Sequence, residues 1–477
     1  MGRCAMNHGW REACGIVAFS VPGQRVAPRL LLGLLALQHR GQESAGIAGW
    51  EDGRLRLERG MGLVSQALDP ERLAAWSADI AVGHVRYATV GESAPAHAQP
   101  LVVSSRWGPI AIAHNGTLVG VRSLRAQLAA AGARIETATD TELMAHLVAL
   151  QPEPRLEDAI AAAMRQLEGA FSVVLLAEGR LYALRDAHAI RPLSLGRLDG
   201  GWAVASESCA FDHTGVHDAG EIGPGELCVI ERGRLRRRQV LAPVREARCV
   251  FEYIYFARPD SVIAGRSVHR VRERMGARLA EQHPVEADLV VPVPDSGLAP
   301  ALGFARRSGI RFELALVKSR YIGRSFIEAG EKRRAAAVRR KLNVVRELVA
   351  GQRVVLVDDS IVRGTTSARI VAIVREAGAR EVHLRVASPP IRWPCFYGVD
   401  TANRIELIAS EARVEEIRLR LGADSLGYLG QDALVDALEL ERSRLCMACL
   451  DGSYPTPVPE AHFGPAGRSD DAEERER

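Results

Sequence analysis

Short apolar runs punctuated by glycine fill the first half of the chain: CGIVAFS, AGIAGW, DIAVGHVRYA, GPIAIAHNG, GAFSVVLLAEG and GWAVASES. Runs of this length bounded by turn residues predict strands. The stretches near Val121–Ala131 and Thr141–Leu150 predict helices, and the run near Leu30–Leu37, closed by Gln38-His39-Arg40, predicts a buried helix. Together these elements predict a sheet-rich α/β domain ending near Val240. From about Asp288 the pattern changes. LVVPV, ELALV, VVLV and VHLRVA are apolar, mostly β-branched runs separated by helix-length stretches. That alternation predicts a parallel sheet with crossover helices. A short helical region then leads to CMACLDG. From about Pro455 the chain is polar and charged, ending DDAEERER, a composition that predicts disorder.

A length of 477 residues exceeds what one hydrophobic core supports, so two domains are expected. With 47% hydrophobic and 25% charged residues, the composition is that of a soluble globular protein. A net charge of +4 calls for neither a nucleic-acid partner nor a membrane surface. No stretch approaches the roughly 20 apolar residues of a membrane span. Residues 1–13 contain no apolar core of a secretory signal. A cytoplasmic setting with reduced thiols is therefore expected. Met1 and Met6 are both eligible starts. Of the eight cysteines, only Cys446 and Cys449 form a CxxC pair.

The densest chemistry lies in RVVLVDDSIVRGTTS, Arg353–Ser367. Val354–Val357 suits a buried strand, and Asp358 and Asp359 sit where it ends. Gly364-Thr365-Thr366-Ser367 then opens a helix carrying Ile370, Ile373, Val374 and Ala377 on one face, with Gly378 placed to stop it. Ligands of open α/β sheets bind outside the carboxyl ends of strands. A glycine-and-hydroxyl loop at a helix N-terminus offers N–H donors to a phosphate. Paired aspartates suit ribose hydroxyls and hydrated Mg²⁺, although an isolated pair of acids at a strand end more often caps the next helix. The complete string VVLVDDSIVRGTT resembles the phosphoribosyltransferase signature. That resemblance implies that Asp358 and Asp359 engage ribose and Mg²⁺, while Arg363, Gly364, Thr365 and Thr366 surround the 5-phosphate of 5-phosphoribosyl 1-pyrophosphate. A second strand end, VVPVPDSG at Val290–Gly297, can supply the pyrophosphate side, with Ser296 as an oxygen near the metal.

Cys14 opens CGIVAF. A lone cysteine in apolar surroundings is usually an inert core residue. The same domain, however, also contains GHVRYATVG with Arg86, HNG with Asn115 and Gly116, and TDTE with Asp140. Together these resemble the glutamine amidotransferase domain of the N-terminal-nucleophile class, an αββα sandwich spanning residues 14 to about 240. The resemblance implies that Cys14 is the nucleophile, Arg86 binds the glutamine carboxylate and Asp140 its α-amino group. Asn115 and the Gly116 N–H would form the oxyanion hole. A thiol of pKa about 8.5 needs a base at neutral pH, and an α-amine of pKa about 7.7–8.0 can serve. That amine exists only if Cys14 is the first residue, so removal of residues 1–13 as a propeptide is expected.

Both halves in this order resemble the amidophosphoribosyltransferase family, which opens de novo purine synthesis. LQHRGQESAGIA, ASESCA, FEYIYFARPDS, VRRKL and SPPIRWPCFYG extend the resemblance from residue 14 to about 455. It implies glutaminase chemistry at Cys14, ammonia passing through an internal channel, and a type I phosphoribosyltransferase parallel-sheet domain over 250–425 that makes 5-phosphoribosylamine. Lys341 of VRRKL would bind substrate, and 426–455 would be a C-terminal helical segment ahead of a disordered tail over 456–477. Cys249, Cys395, Cys446 and Cys449 each stand in a matching motif. Four thiolates suit either tetrahedral Zn²⁺ or a 4Fe–4S cluster, and spacing alone does not choose. The resemblance points to the cluster, in a structural role. Cys209 and Cys228 read as packing residues, and Cys4 leaves with the propeptide. A homo-oligomer, with a tetramer as the family's form, and feedback inhibition by purine nucleotides are implied as well.

Some positions depart from the family pattern. Ser319, Ala329 and Glu331 replace Asn, Pro and Gln in the loop expected to close over substrate. His97 stands for Asn before AQP, and Ala187 and Ala189 replace Pro and Gly. None removes a residue assigned to chemistry. Glucosamine-6-phosphate and asparagine synthases share the glutaminase chemistry but require other domains in place of VVLVDDSIVRGTT. A paralogue that senses phosphoribosyl pyrophosphate or nucleotide would hydrolyse glutamine without releasing pyrophosphate.

Overall fold

The computed structural model describes residues 14–87, 94–319, 342–399, 401 and 403–458. Its first domain stacks two antiparallel sheets. In the seven-stranded sheet, Gly15–Ser20 lies between Ile80–Arg86 and Gly201–Ala205, with Ser44–Glu51 beyond Ile80–Arg86. In the six-stranded sheet, Gly108–Val119 runs between Leu101–Ser105 and Glu168–Ala177. Alternation along each strand divides the side chains between two faces. Ile16, Ala18 and Val82 meet Ala111, Ala113, Val174 and Leu176 between the sheets. Val17 and Phe19 face outward against Leu30 and Leu34 of helix Ala27–Ala36. On the other side Ile110, Ile112, Val173 and Leu175 pack under helices Asp140–Ala149 and Leu156–Met164. The order is helix, sheet, sheet, helix, the predicted αββα sandwich. Helix Leu156–Met164 is an element the sequence reading did not anticipate.

The second domain is built on a five-stranded, all-parallel sheet. Its order is Arg311–Phe312, Leu289–Pro292, Arg353–Asp358, Glu381–Val386, Ser425–Tyr428. Leu289, Val291, Val354 and Leu356 point to one face, Val290, Val355 and Val357 to the other. The strands are therefore buried on both sides and read as unbroken apolar runs. Two expectations are corrected. ELALV is not a strand of this sheet: Leu316–Lys318 pairs antiparallel with Leu342–Val344 in a separate ribbon, and the sheet edge is Arg311–Phe312. The first lysine after the run, Lys318, reaches Asp295 rather than extending a buried strand. The sheet also continues past residue 425, because Ser425–Tyr428 adds a fifth strand and helix Gln431–Leu438 packs beside helix Val268–Gln282. SLGY is too short and mixed to announce itself.

Helix Val268–Gln282 crosses helix Leu298–Ser308 at two glycines. A Cβ on Gly276 would lie 1.8 Å from the Pro300 carbonyl oxygen, and one on Gly303 would lie 1.9 Å from that of Glu273. No side chain fits at that crossing.

Candidate active sites

Cys14 immediately precedes the central strand Gly15–Ser20 of its sheet. Its Sγ lies 3.7 Å from the Tyr87 carbonyl oxygen, and its own carbonyl accepts a bond from Arg40 Nε at 3.1 Å. Burial pushes the thiol up, partly opposed by the Tyr87 contact and the charge of Arg86. Arg86 ends the neighbouring strand, buried, and its guanidinium bonds Glu43 at 2.7 Å. From the second sheet come Asn115 and Gly116. Gly116 has φ +146°, and a Cβ there would lie 2.0 Å from the Ala170 carbonyl oxygen, so only glycine fits. Asp140 starts its helix and accepts the Leu118 N–H at 3.1 Å, with His114 Nδ1 3.5 Å away. Burial raises this carboxyl, but the imidazole and the backbone donors outweigh it and hold Asp140 below its usual range.

In the second domain, Asp358 ends the strand and Asp359 follows it, both buried. Ser296, from the loop ahead of helix Leu298–Ser308, donates to Asp359, as does Ser360. Burial and the charge of Asp359 push the Asp358 carboxyl well above the usual carboxylate range. Two adjoining buried carboxyls with a serine hydroxyl form an all-oxygen donor set that a divalent cation would relieve. Gly364, at φ +76°, turns the chain into helix Thr365–Glu376, and Thr365 and Thr366 are exposed in its first turn. Arg363 pairs with Glu406 across the groove lined by Gly364, Thr365 and Ile408. Lys341, Ala329 and Glu331 lie outside the described residues. Ser319 is half-buried and His97 buried, and Ala189 adopts φ +52°, a region glycine enters without penalty.

The four cysteines come together from three segments. Arg248–Cys249 and Leu445–Cys446 pair as a short parallel ribbon that sets Cys249 beside Cys446. The Arg392 and Trp393 N–H groups bond the Cys449 carbonyl at 3.0 and 3.1 Å, bringing in the loop that carries Cys395. All four line one cavity, together with Arg191, Phe251 and Tyr397. Among the described residues no three His, Cys, Asp or Glu side chains stand close enough to hold a single ion. Burial and the neighbouring thiols raise Cys446 and Cys449 well above the ordinary thiol value. Arg191, fully buried, donates from Nη1 to Glu252 at 2.9 Å and lies 3.8 Å from Cys249 Sγ, while its Nε and Nη2 have no partner among the described residues. Cys209 and Cys228 are buried and stand apart from this cavity.

A buried ion-pair network joins these places, and sequence reasoning did not assign it. Arg40 bonds Glu252 at 2.8 and 2.9 Å and Glu207 as well, while its Nε holds the Cys14 carbonyl. Glu252 also accepts Arg191, and Glu207 accepts His39, Ser261 and the Arg258 N–H. The signal was present: LQHRG, ASES and FEYIYF each place a charge or hydroxyl inside an apolar string, and a buried charge requires a partner.

Comparison with known proteins follows the same division. Residues 84–213 match a profile described as a glutamine amidotransferase domain, and residues 266–388 one described as a phosphoribosyl transferase domain. The amidophosphoribosyltransferase of Methanothermobacter thermautotrophicus is 44% identical over 453 residues, covering 94% of this chain and 96% of that protein. That of Archaeoglobus fulgidus is 45% identical, covering 94% and 98%. Among solved structures, the glutamine phosphoribosylpyrophosphate amidotransferase of Bacillus subtilis, complexed with ADP and GMP, superposes with a TM-score of 0.89 at 41% identity, covering 94% of this chain and 98% of that one.

Proposed function

The chain belongs to the amidophosphoribosyltransferase family, glutamine-dependent enzymes that aminate 5-phosphoribosyl 1-pyrophosphate in purine biosynthesis, and on that premise we propose how its residues divide the work. Residues 1–13, outside the described residues, are removed, and the freed α-amine of Cys14 takes the proton of its own thiol. Arg86 binds the α-carboxylate of glutamine and Asp140 the α-amino group. The thiolate attacks the side-chain carbonyl, and the oxyanion is held by Asn115 and the Gly116 N–H. Ammonia leaves as the glutamyl thioester forms, and water then releases glutamate. The ammonia crosses inside the protein and attacks C1 of the ribose with inversion. The C1–O bond breaks and pyrophosphate departs, giving 5-phosphoribosylamine. Arg363–Thr366 hold the 5-phosphate, and Asp358, Asp359 and Ser296 face the ribose and pyrophosphate. Mg²⁺ bound by this oxygen set would neutralise the leaving pyrophosphate. Lys341, outside the described residues, is assigned to substrate.

We assign the four-cysteine cavity to a 4Fe–4S cluster rather than zinc. Four thiols around one cavity are a donor set that such a cluster takes, and the family resemblance of their motifs favours it over zinc. The orphaned N–H groups of Arg191 at the same cavity suit an anionic occupant. Bound there, the cluster would tie the C-terminal segment to both domains. Regulation by purine nucleotides is proposed because the B. subtilis relative was solved with ADP and GMP. A homotetramer and a cytoplasmic location complete the reading. No helix among the described residues is long and apolar enough to cross a membrane.

The observation that carries the proposal is the thiol heading the central strand of one domain, joined within one chain to paired buried carboxylates at the end of a parallel strand in the other. Cys14→Ala abolishes glutamine-dependent pyrophosphate release and leaves ammonia-dependent release intact. Loss of both activities in a folded variant would refute the division of labour.

A further inference from the structure

Ser206 follows strand Gly201–Ala205 and is fully buried. It is pinned to the nucleophile strand twice: its N–H bonds the Ile16 carbonyl at 2.9 Å, and its hydroxyl accepts the Ile16 N–H at 3.0 Å. The same hydroxyl lies 3.5 Å from Asn115 Nδ2. One serine oxygen, bonded to Ile16 two positions after Cys14 although Ser206 and Ile16 lie 190 positions apart in sequence, thus contacts both the nucleophile strand and the candidate oxyanion donor.

A hydrogen-bond count decides what that contact does. A hydroxyl has one donor and two acceptor positions, and an amide has two donors on nitrogen with an acceptor oxygen. With Nδ2 toward Ser206, the hydroxyl accepts twice and its own O–H finds no acceptor among the described residues. Asn115 Oδ1, also fully buried, is then left without a donor. Burying such groups unpaired is costly. A half turn about the Cβ–Cγ bond, which exchanges the two ends of the amide, pairs the hydroxyl and the amide oxygen, because Ser206 then accepts from Ile16 and donates its O–H to Asn115 Oδ1, and it moves the unpaired group to the amide nitrogen. The Nδ2 donors then occupy the side of the amide that has no protein donor or acceptor. Donors that wait unpaired for an anionic oxygen are what an oxyanion hole requires.

We propose that Ser206 is a positioning residue of the glutaminase reaction: its hydroxyl holds the Asn115 amide oxygen and so turns the amide nitrogen toward the oxyanion. The inference rests on Asn115 being an oxyanion donor. In Ser206→Ala the amide is free to turn either way. Glutamine-dependent kcat falls roughly ten- to a hundredfold with KM for glutamine little changed, less than the loss of a whole donor. Ser206→Thr, which keeps the hydroxyl, recovers most of the rate. Ammonia-dependent pyrophosphate release and the rate of Cys14 alkylation stay at wild-type values in both variants, which shows that both sites are folded.

A double-mutant cycle separates the two levels of the argument. Asn115→Ala lowers kcat, and adding Ser206→Ala to it brings no further loss. If Asn115→Ala leaves kcat unchanged, the oxyanion assignment itself fails. If Asn115→Ala lowers kcat but Ser206→Ala does not, or if the two losses multiply, the positioning role of Ser206 is overturned.

Discussion

Single residues carry most of the chemistry, and their burial sets how each behaves. Arg191 is the clearest case. A guanidinium with two orphaned nitrogens costs several kcal/mol if its cavity stays empty and apolar, but little if the cavity holds sulfide and thiolate. Anaerobically purified protein should therefore be brown and carry four irons and four sulfides per chain, the stoichiometry of a 4Fe–4S centre. Arg191→Leu should lose iron faster than wild type when challenged with a chelator. Colourless protein with one bound zinc would overturn the cluster, whereas unchanged iron retention in the variant would remove Arg191 from its support. Ala189, two residues away and at φ +52°, is one departure from the family pattern for which the backbone shows a cost.

Elements place those residues, and one crossing matters most in the transferase domain. Helix Leu298–Ser308 begins just after Ser296, so its seat against helix Val268–Gln282 determines where the serine hydroxyl meets Asp359. Gly303 is one of the two glycines at the crossing. Gly303→Ala forces the helices apart at a cost of about 1–3 kcal/mol, the usual range for overpacking. Steady-state kinetics should show KM for phosphoribosyl pyrophosphate rising several-fold while KM for glutamine is unchanged. A KM effect on both substrates would mean that the disturbance is global. The glycine is visible in the sequence, but the carbonyl that excludes a side chain there belongs to residue Glu273, 30 positions earlier.

Across the whole molecule, Arg40, Glu207, Glu252 and Arg191 bind the two domains and the cysteine cavity into one buried network. Burial opposes the Glu207 charge, but His39 and Arg40 outweigh it and hold the carboxyl well below its usual range. A carboxyl depressed by folding stabilises the native state above its unfolded pKa, about 4.3 for Glu, and loses that contribution as pH falls through the folded value. The junction should therefore hold unchanged from neutral pH to about pH 4.3 and weaken only in stronger acid. Arg40→Met removes the cation that the two buried carboxylates share, leaving Glu252 with Arg191 and Glu207 with His39. It should cost about 3–5 kcal/mol in denaturant unfolding at pH 7, with less of that cost remaining at low pH where the carboxyls protonate. A loss below 1 kcal/mol would show that the network is dispensable.

Much of this protein was determined by local sequence. Glycine-bounded apolar runs predicted a sheet-rich first domain, for which the family resemblance implied the two-sheet sandwich, the β-branched runs predicted the parallel sheet, and DDSIVRGTT announced its strand end and helix start, because each such signal depends on residues a few positions apart. ELALV and SLGY were misplaced or missed because edge pairing is decided by neighbours distant in the chain. Only the tertiary structure set Ser206 between Ile16 and Asn115, Arg40 on the Cys14 carbonyl, and Arg191 against the thiol cavity. In each, the group that makes the contact meaningful is a buried polar partner tens to hundreds of positions away. Whether a buried charge or hydroxyl is satisfied is a property of the folded interior, which no local pattern encodes.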